Sequence, residues 1–203
     1  MSGLEVKLLS PETWLDFEAL FGKHKGLRGG CWCTFFRCTS AEFERMTREE
    51  HKAFQAQLVS QGRGHGLLVY DSGTPVAWCQ FGPPTEFPHY DHGRVYPTLE
   101  LAADATPQWR IACLMADKHR RREGLATFAL KAALEKICEY GGGVVEAFPF
   151  DGPTNVQPHH TGSVEMFRRE GFETIARIGK HTVLMRRIVQ PDPLEFRAPN
   201  TRF

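Results

Sequence analysis

The sequence predicts an α/β fold, a mixed central sheet with helices on both faces. Three observations predict it. Apolar runs of strand length alternate with stretches of helical periodicity, two pairs of those runs are joined by short turns as hairpins, and one run passes through a charged turn into a long amphipathic helix. A length of 203 residues suits one domain with a sizeable core, and 41% apolar with 24% charged residues is ordinary for a globular chain. Residues 1–189 are read as that domain and residues 190–203, with three prolines, as an irregular C-terminal arm that could wrap a second copy in a homodimer.

The elements follow in order. Residues 4–9 form a short strand, and Ser10-Pro11 supplies a cap and a proline at the first helical position. Trp14, Phe17, Leu20 and Phe21 give the helix that follows one apolar face. Gly26 to Gly30 breaks the periodicity, and the aromatic stretch Cys31 to Phe36 falls between helices. Thr47-Arg48-Glu49-Glu50 has the capping-box form and starts a second helix reaching about Ser60. Gly66 to Tyr70 and Pro75 to Phe81 make a hairpin about the turn Asp71 to Thr74.

Five prolines between residues 82 and 107 argue for irregular chain. A strand at 109–116 runs into the charged turn Asp117 to Glu123, and a helix begins near Gly124. Leu125, Phe128, Ala129, Ala132 and Ala133 line its apolar stripe, and Gly141-Gly142-Gly143 ends it. Residues 144–148 form the next strand. Thr161 is expected to cap a short helix to Glu170, and a second hairpin spans 172–188.

Twenty-five basic against 24 acidic residues give a formal charge of +1, so no global field favours nucleic acid or an anionic membrane. The sequence has no apolar run near the roughly 18 residues that span a bilayer, and its start lacks a signal-peptide layout. Six sparse cysteines are expected to be reduced thiols. These features together point to a cytoplasmic protein.

Arg121-x-x-Gly124-x-Ala126, placed between a strand and a long helix, resembles the acyl-CoA signature of the GNAT superfamily of N-acetyltransferases. The element order and the late Phe167 to Phe172 segment ending in Gly-Phe extend the resemblance over most of the chain. Its physics is that of an anion cradle, in which helix N-terminal amides and the macrodipole meet a pyrophosphate while small residues admit the backbone. An exposed strand-to-helix loop is the alternative reading of the same residues.

The resemblance implies a fold with a splayed parallel strand pair, acetyl-CoA as co-substrate, and an amine acceptor. It carries pantetheine contacts over to Leu114, Met115 and Ala116, and phosphate contacts to Arg121, Arg122, Glu123, Gly124, Leu125, Ala126 and Thr127, with Arg120 adding charge. Phe167, counted with the cofactor-binding residues or else simply core, stands where many members place a tyrosine that protonates the departing thiolate, so Ser163, Thr161, His160 or water would substitute.

An alkyl ammonium has a pKa near about 10, so a base is needed; Glu146 and Glu100 are the candidates. Trp32 is expected beside the acceptor, and Glu86, His89, Asp91 and His92 line a substrate pocket or face water. Two other readings stay open. One is a module that binds acyl-CoA without efficient chemistry, and the other is a zinc-binding regulatory protein built on Cys31, Cys33 and Cys38.

Overall fold

The structure is a computed structural model that describes residues 3–101, 106–153 and 160–192. Seven strands form one sheet in the order β1-β2-β3-β4-β5-β7-β6. They are β1 (Leu4–Leu8), β2 (Leu67–Asp71), β3 (Thr74–Gly82), β4 (Trp109–Ala116), β5 (Gly143–Ala147), β6 (Glu173–Gly179) and β7 (Thr182–Val189). Neighbours pair antiparallel except β4 and β5, which run parallel. The helices are α1 (Trp14–Gly22), α2 (Ser40–Arg45), α3 (Arg48–Ser60), α4 (Leu125–Glu139) and α5 (Val164–Arg169).

Position in the sheet explains the strand sequences. Central β3 and β4 are buried nearly end to end, because both faces are covered, and they read as continuous apolar runs. Edge strands β1 and β6 are mostly exposed and carry the charged residues. On one face α4 lays Leu130, Ala133 and Ile137, all fully buried, against β2, β3 and β4. Ala129 and Ala133 are small enough to bring that helix close to the sheet. On the other face Trp78 of β3 meets Phe17 and Phe21 of α1 edge-on, with centroids 5.0 and 6.1 Å apart.

Two helix boundaries differ from the sequence reading. The short α2 falls in a segment for which no helix was expected. Thr39 caps it, with Glu42 bonding back to the Thr39 amide at 2.8 Å, so the capping-box signal was present at Thr39-x-x-Glu42. The cap of α5 is Ser163, not Thr161, its hydroxyl accepting from the Met166 amide at 3.3 Å. The arm expected at 190–203 lies, from residue 193 on, outside the described residues, as do 102–105 and 154–159 of the two proline-containing loops.

The ladder between β4 and β5 is short. Trp109, Arg110 and Ile111 pair with Val145, Glu146 and Ala147, and there it stops, although β4 continues to Ala116. Phe150, beyond the end of β5, bridges instead to Ser163 and Thr182. The two strands therefore part above Ile111, and the second half of β4 faces a gap on that side.

Leu130 is fully buried between α4 and the sheet. Leu130→Ala is expected to lower the unfolding free energy by about 2–5 kcal/mol in urea titrations with an unchanged slope.

Candidate functional site

Two cavities flank the unpaired half of β4. The first, of about 290 Å³, is lined by Met115 and Ala116 of β4, Lys118 and Arg121 of the following turn, and His24, Lys25, Leu27 and Arg28 of the chain after α1, together with His160. The second, of about 240 Å³, is apolar and lined by Cys31, Cys33, Phe35, Phe36, Phe43 and Cys113, with Arg28, Gly29 and His160 at its border. Arg28 and His160 belong to both linings, so the basic and the apolar cavity adjoin.

The basic cavity opens beside the start of α4. Arg122 and Gly124 take left-handed conformations, with φ of 69° and 73°. The glycine adopts it without strain, and the reversal sets the amides that follow at the helix end. Among the described residues no side chain caps this helix, so the amides of Leu125, Ala126 and Thr127 meet no intrahelical or capping acceptor there. A turn is fixed beneath them: Asp117 accepts from the His119 amide at 3.0 Å and lies within 3.5 Å of His24 and 3.8 Å of Lys23.

The arginines divide into two kinds. Arg121 lines the cavity. Arg120, expected to add to the cradle, instead bonds Asp71 and Glu123, both at 2.6 Å, and with Glu123 it ties the turn to the β2–β3 hairpin. Leu125 turns its side chain into the core, so only its amide can meet a ligand.

His160 connects the parts. Its backbone carbonyl accepts from the Leu114 amide at 2.7 Å, across the gap where β5 no longer pairs. Gly162 lets the loop pass so close: a Cβ there would lie 2.3 Å from Met166 Cε and 3.1 Å from Leu114 Cδ1. Phe167 is fully buried, edge-on to Phe172 at 5.0 Å, and packs in the core under this loop.

The expected carboxylates lie elsewhere. Glu146 is wholly buried and accepts from Tyr96 Oη (2.8 Å), Arg110 Nε (3.1 Å) and Arg186 Nη2 (2.7 Å). Arg110 also clasps Asp91 with two bonds of 2.7 Å and donates to the Phe87 carbonyl at 2.8 Å. The cluster sits at the paired stem of β4 and β5, where Arg110 and Glu146 are opposite each other. Glu100 is exposed and lines neither cavity. Ser163 is engaged as the α5 cap.

The expected substrate residues are also held away. Glu86 is buried and bonds Arg37 Nη1 at 2.6 Å and His65. Burial opposes its charge, but the His65 and Arg37 bonds outweigh burial and hold its pKa below the usual 4.5. That contribution to stability is full above the unfolded value and lost as pH falls through the folded one. His89 packs against Phe35 and Phe36 with its ring. Trp32 stacks on Phe21 at 6.0 Å, with the Lys52 ammonium 5.4 Å from its ring. Neither lines the basic or the apolar cavity. Phe35, Phe36, Phe43 and Cys113, which line the apolar cavity, are apolar and carry no sequence signal that separates a cavity wall from core.

The cysteines do not form a metal site. Burial pushes the thiol of Cys31 up to about 12 and that of Cys38 up to about 11, Cys33 Sγ lies 3.0 Å from Cys113 Sγ, and all six remain free thiols. Among the described residues no group of three or more His, Cys, Asp or Glu side chains is placed to hold a metal. Among them, too, no helix is long and apolar enough to cross a membrane.

A parallel strand pair parts here, and a basic cavity lies between one strand, the turn that leads into α4 and the chain after α1. The model of the acetyltransferase (GNAT) family matches residues 32–172, well over half of the chain, and the chain belongs to that family, whose members use acetyl-CoA. No curated protein matches by sequence. Similar solved structures include an acetyltransferase from Thermus thermophilus (12% identity, 92% of this chain and 97% of that one, TM-score 0.53). Another is the ribosomal-protein-alanine N-acetyltransferase from Brucella melitensis (14%, 91% and 99%, TM-score 0.52). A third, the PaiA N-acetyltransferase from Thermoplasma acidophilum, was solved in complex with coenzyme A (14%, 93% and 99%, TM-score 0.50).

Removing Glu146 would leave two buried guanidinium groups without their shared partner. Glu146→Ala is expected to destabilise the fold by about 3–5 kcal/mol, read by chemical denaturation.

Proposed function

We propose that the protein transfers the acetyl group of acetyl-CoA to a primary amine by direct attack in a ternary complex. The observation that carries this reading is the meeting of the two cavities at His160 and Arg28, beside the unpaired end of β4. The basic cavity suits the cofactor, since Lys25, Arg28, Lys118 and Arg121 offer positive charge beside open helix amides. The apolar cavity suits the acceptor.

Acetyl-CoA supplies a thioester whose C–S bond breaks as the new C–N bond forms. His160 is assigned the proton transfers. No carboxylate lines either cavity among the described residues, whereas His160 lines both. His160 takes the proton that the attacking nitrogen loses and can return one to the departing sulfur. A thiol with an ordinary pKa of about 8.5 needs little assistance to leave, so Phe167 in the place of a tyrosine is tolerated. Glu146 is reassigned: its oxygens are engaged by Tyr96, Arg110 and Arg186, and it holds the strand stem instead of moving protons.

Isothermal titration of the full chain with acetyl-CoA is expected to give binding in the micromolar range typical of substrates. Gly124→Val, which forces a β-branched residue into a left-handed conformation, is expected to weaken it at least about ten-fold. His160→Gln is expected to lower kcat by about a hundred-fold, to flatten the acidic limb of the pH–rate profile, and to leave acetyl-CoA affinity unchanged within about two-fold. An unaltered pH profile in that variant would remove His160 from the proton path.

A further inference from the structure

The apolar cavity is specific enough to name its occupant by class. It measures about 240 Å³ and presents the rings of Phe35, Phe36 and Phe43 together with the thiols of Cys31, Cys33 and Cys113. The rings are fixed by one another, Phe35 meeting Phe36 at 90° and 5.0 Å and Phe43 at 80° and 5.1 Å. Burial raises the thiols of Cys31 and Cys33 and keeps them neutral, and Cys33 packs on Cys113 at 3.0 Å.

Among the described residues no Asp or Glu lines this cavity, and the one charged side chain in its lining is the cationic Arg28. A polyamine, an aminoglycoside or a lysine-rich peptide would bring several ammonium groups into a space with no anion to meet them. A single amine on an apolar body meets the opposite situation, since its ring or branched chain leaves water for an aromatic lining. Size agrees. A cavity of about 150 Å³ can hold benzene, so about 240 Å³ accommodates one ring with a short side chain.

The same surroundings prepare the nucleophile. An apolar wall and a nearby guanidinium both disfavour an ammonium, so an amine seated there loses its proton more readily than in water. That reduces the demand on a base and is consistent with a lining that holds no carboxylate among the described residues.

We infer that the acceptor is a small primary amine carried on one aromatic ring or a comparable branched aliphatic body, seated among Phe35, Phe36 and Phe43 with its nitrogen toward His160. This rests on the acetyl-transfer reading above for the direction of the nitrogen, but not for the binding itself. The two are therefore separated by measuring binding and turnover independently.

Calorimetric titration of the full chain, saturated with coenzyme A, uses 2-phenylethylamine, n-butylamine and spermidine as probes. The account predicts that 2-phenylethylamine binds at least about ten-fold more tightly than either of the others. Phe43 is only half-buried on the short surface helix α2, so its truncation tests the wall without emptying the core. Phe43→Ala is predicted to weaken 2-phenylethylamine about ten-fold, and to raise its KM in a thiol-release assay with kcat held within about three-fold, while coenzyme A affinity stays constant. Spermidine binding as tightly as 2-phenylethylamine to the unaltered chain would overturn the inference, as would indifference of 2-phenylethylamine to Phe43→Ala. Tight binding of 2-phenylethylamine without any thiol release would uphold the pocket and sink the transfer reading instead.

Discussion

The structure depends on a buried charge cluster that fixes where two parallel strands stop pairing. Arg110 of β4 and Glu146 of β5 face each other across the ladder, and Arg186 of β7 and the Tyr96 hydroxyl close on the same carboxylate. Asp91 takes the other edge of Arg110. Two cations and two anions balance in this cluster, which is what allows so much charge inside a protein. Ile111 and Ala147 are the last paired residues above it. Beyond them the chain after β5 turns to Ser163 and Thr182, and the far half of β4 is left beside a gap.

What occupies that gap decides the chemistry. Hydrogen-bonding capacity on the far half of β4 must be met by something, and in this structure the His160 carbonyl meets the Leu114 amide. The loop carrying His160 thus does what a ligand would do at that point, and Gly162 makes its approach sterically possible. His160 is a lining residue of both the basic cavity and the apolar one. The same residue therefore closes the gap and lines both cavities.

Much of the fold was legible because its signals are local. The stripe on α4, the glycines that end it, the apolar run of β4 and the capping box at Thr47 each act within one element, and each element formed where its residues indicated. The conformation of the turn before α4 was legible for the same reason: Arg121-x-x-Gly124-x-Ala126 carries a left-handed glycine before the helix, and a motif can encode that. The roles of carboxylates were not legible. Glu146 on a strand looks the same in sequence whether it faces substrate or two arginines, and its partners Arg110 and Arg186 are distant in the chain. Glu86 misleads in the same way, since Arg37 and His65 reach it only after folding. The apolar cavity was hidden for another reason, because phenylalanines and cysteines between two helices read as core and only the folded arrangement leaves them around a void.

The central claim is that the unpaired end of β4 and the open start of α4 together receive an acyl-CoA. A crystal structure of the full chain grown with coenzyme A tests it most directly. The account predicts the diphosphate at the amides of residues 125–127, with Arg121 beside it, and the pantetheine arm along Leu114 to Ala116, displacing the His160 carbonyl from the Leu114 amide. Coenzyme A bound elsewhere on the molecule, with the bond between Leu114 and His160 intact and the turn at Gly124 bare, would contradict it.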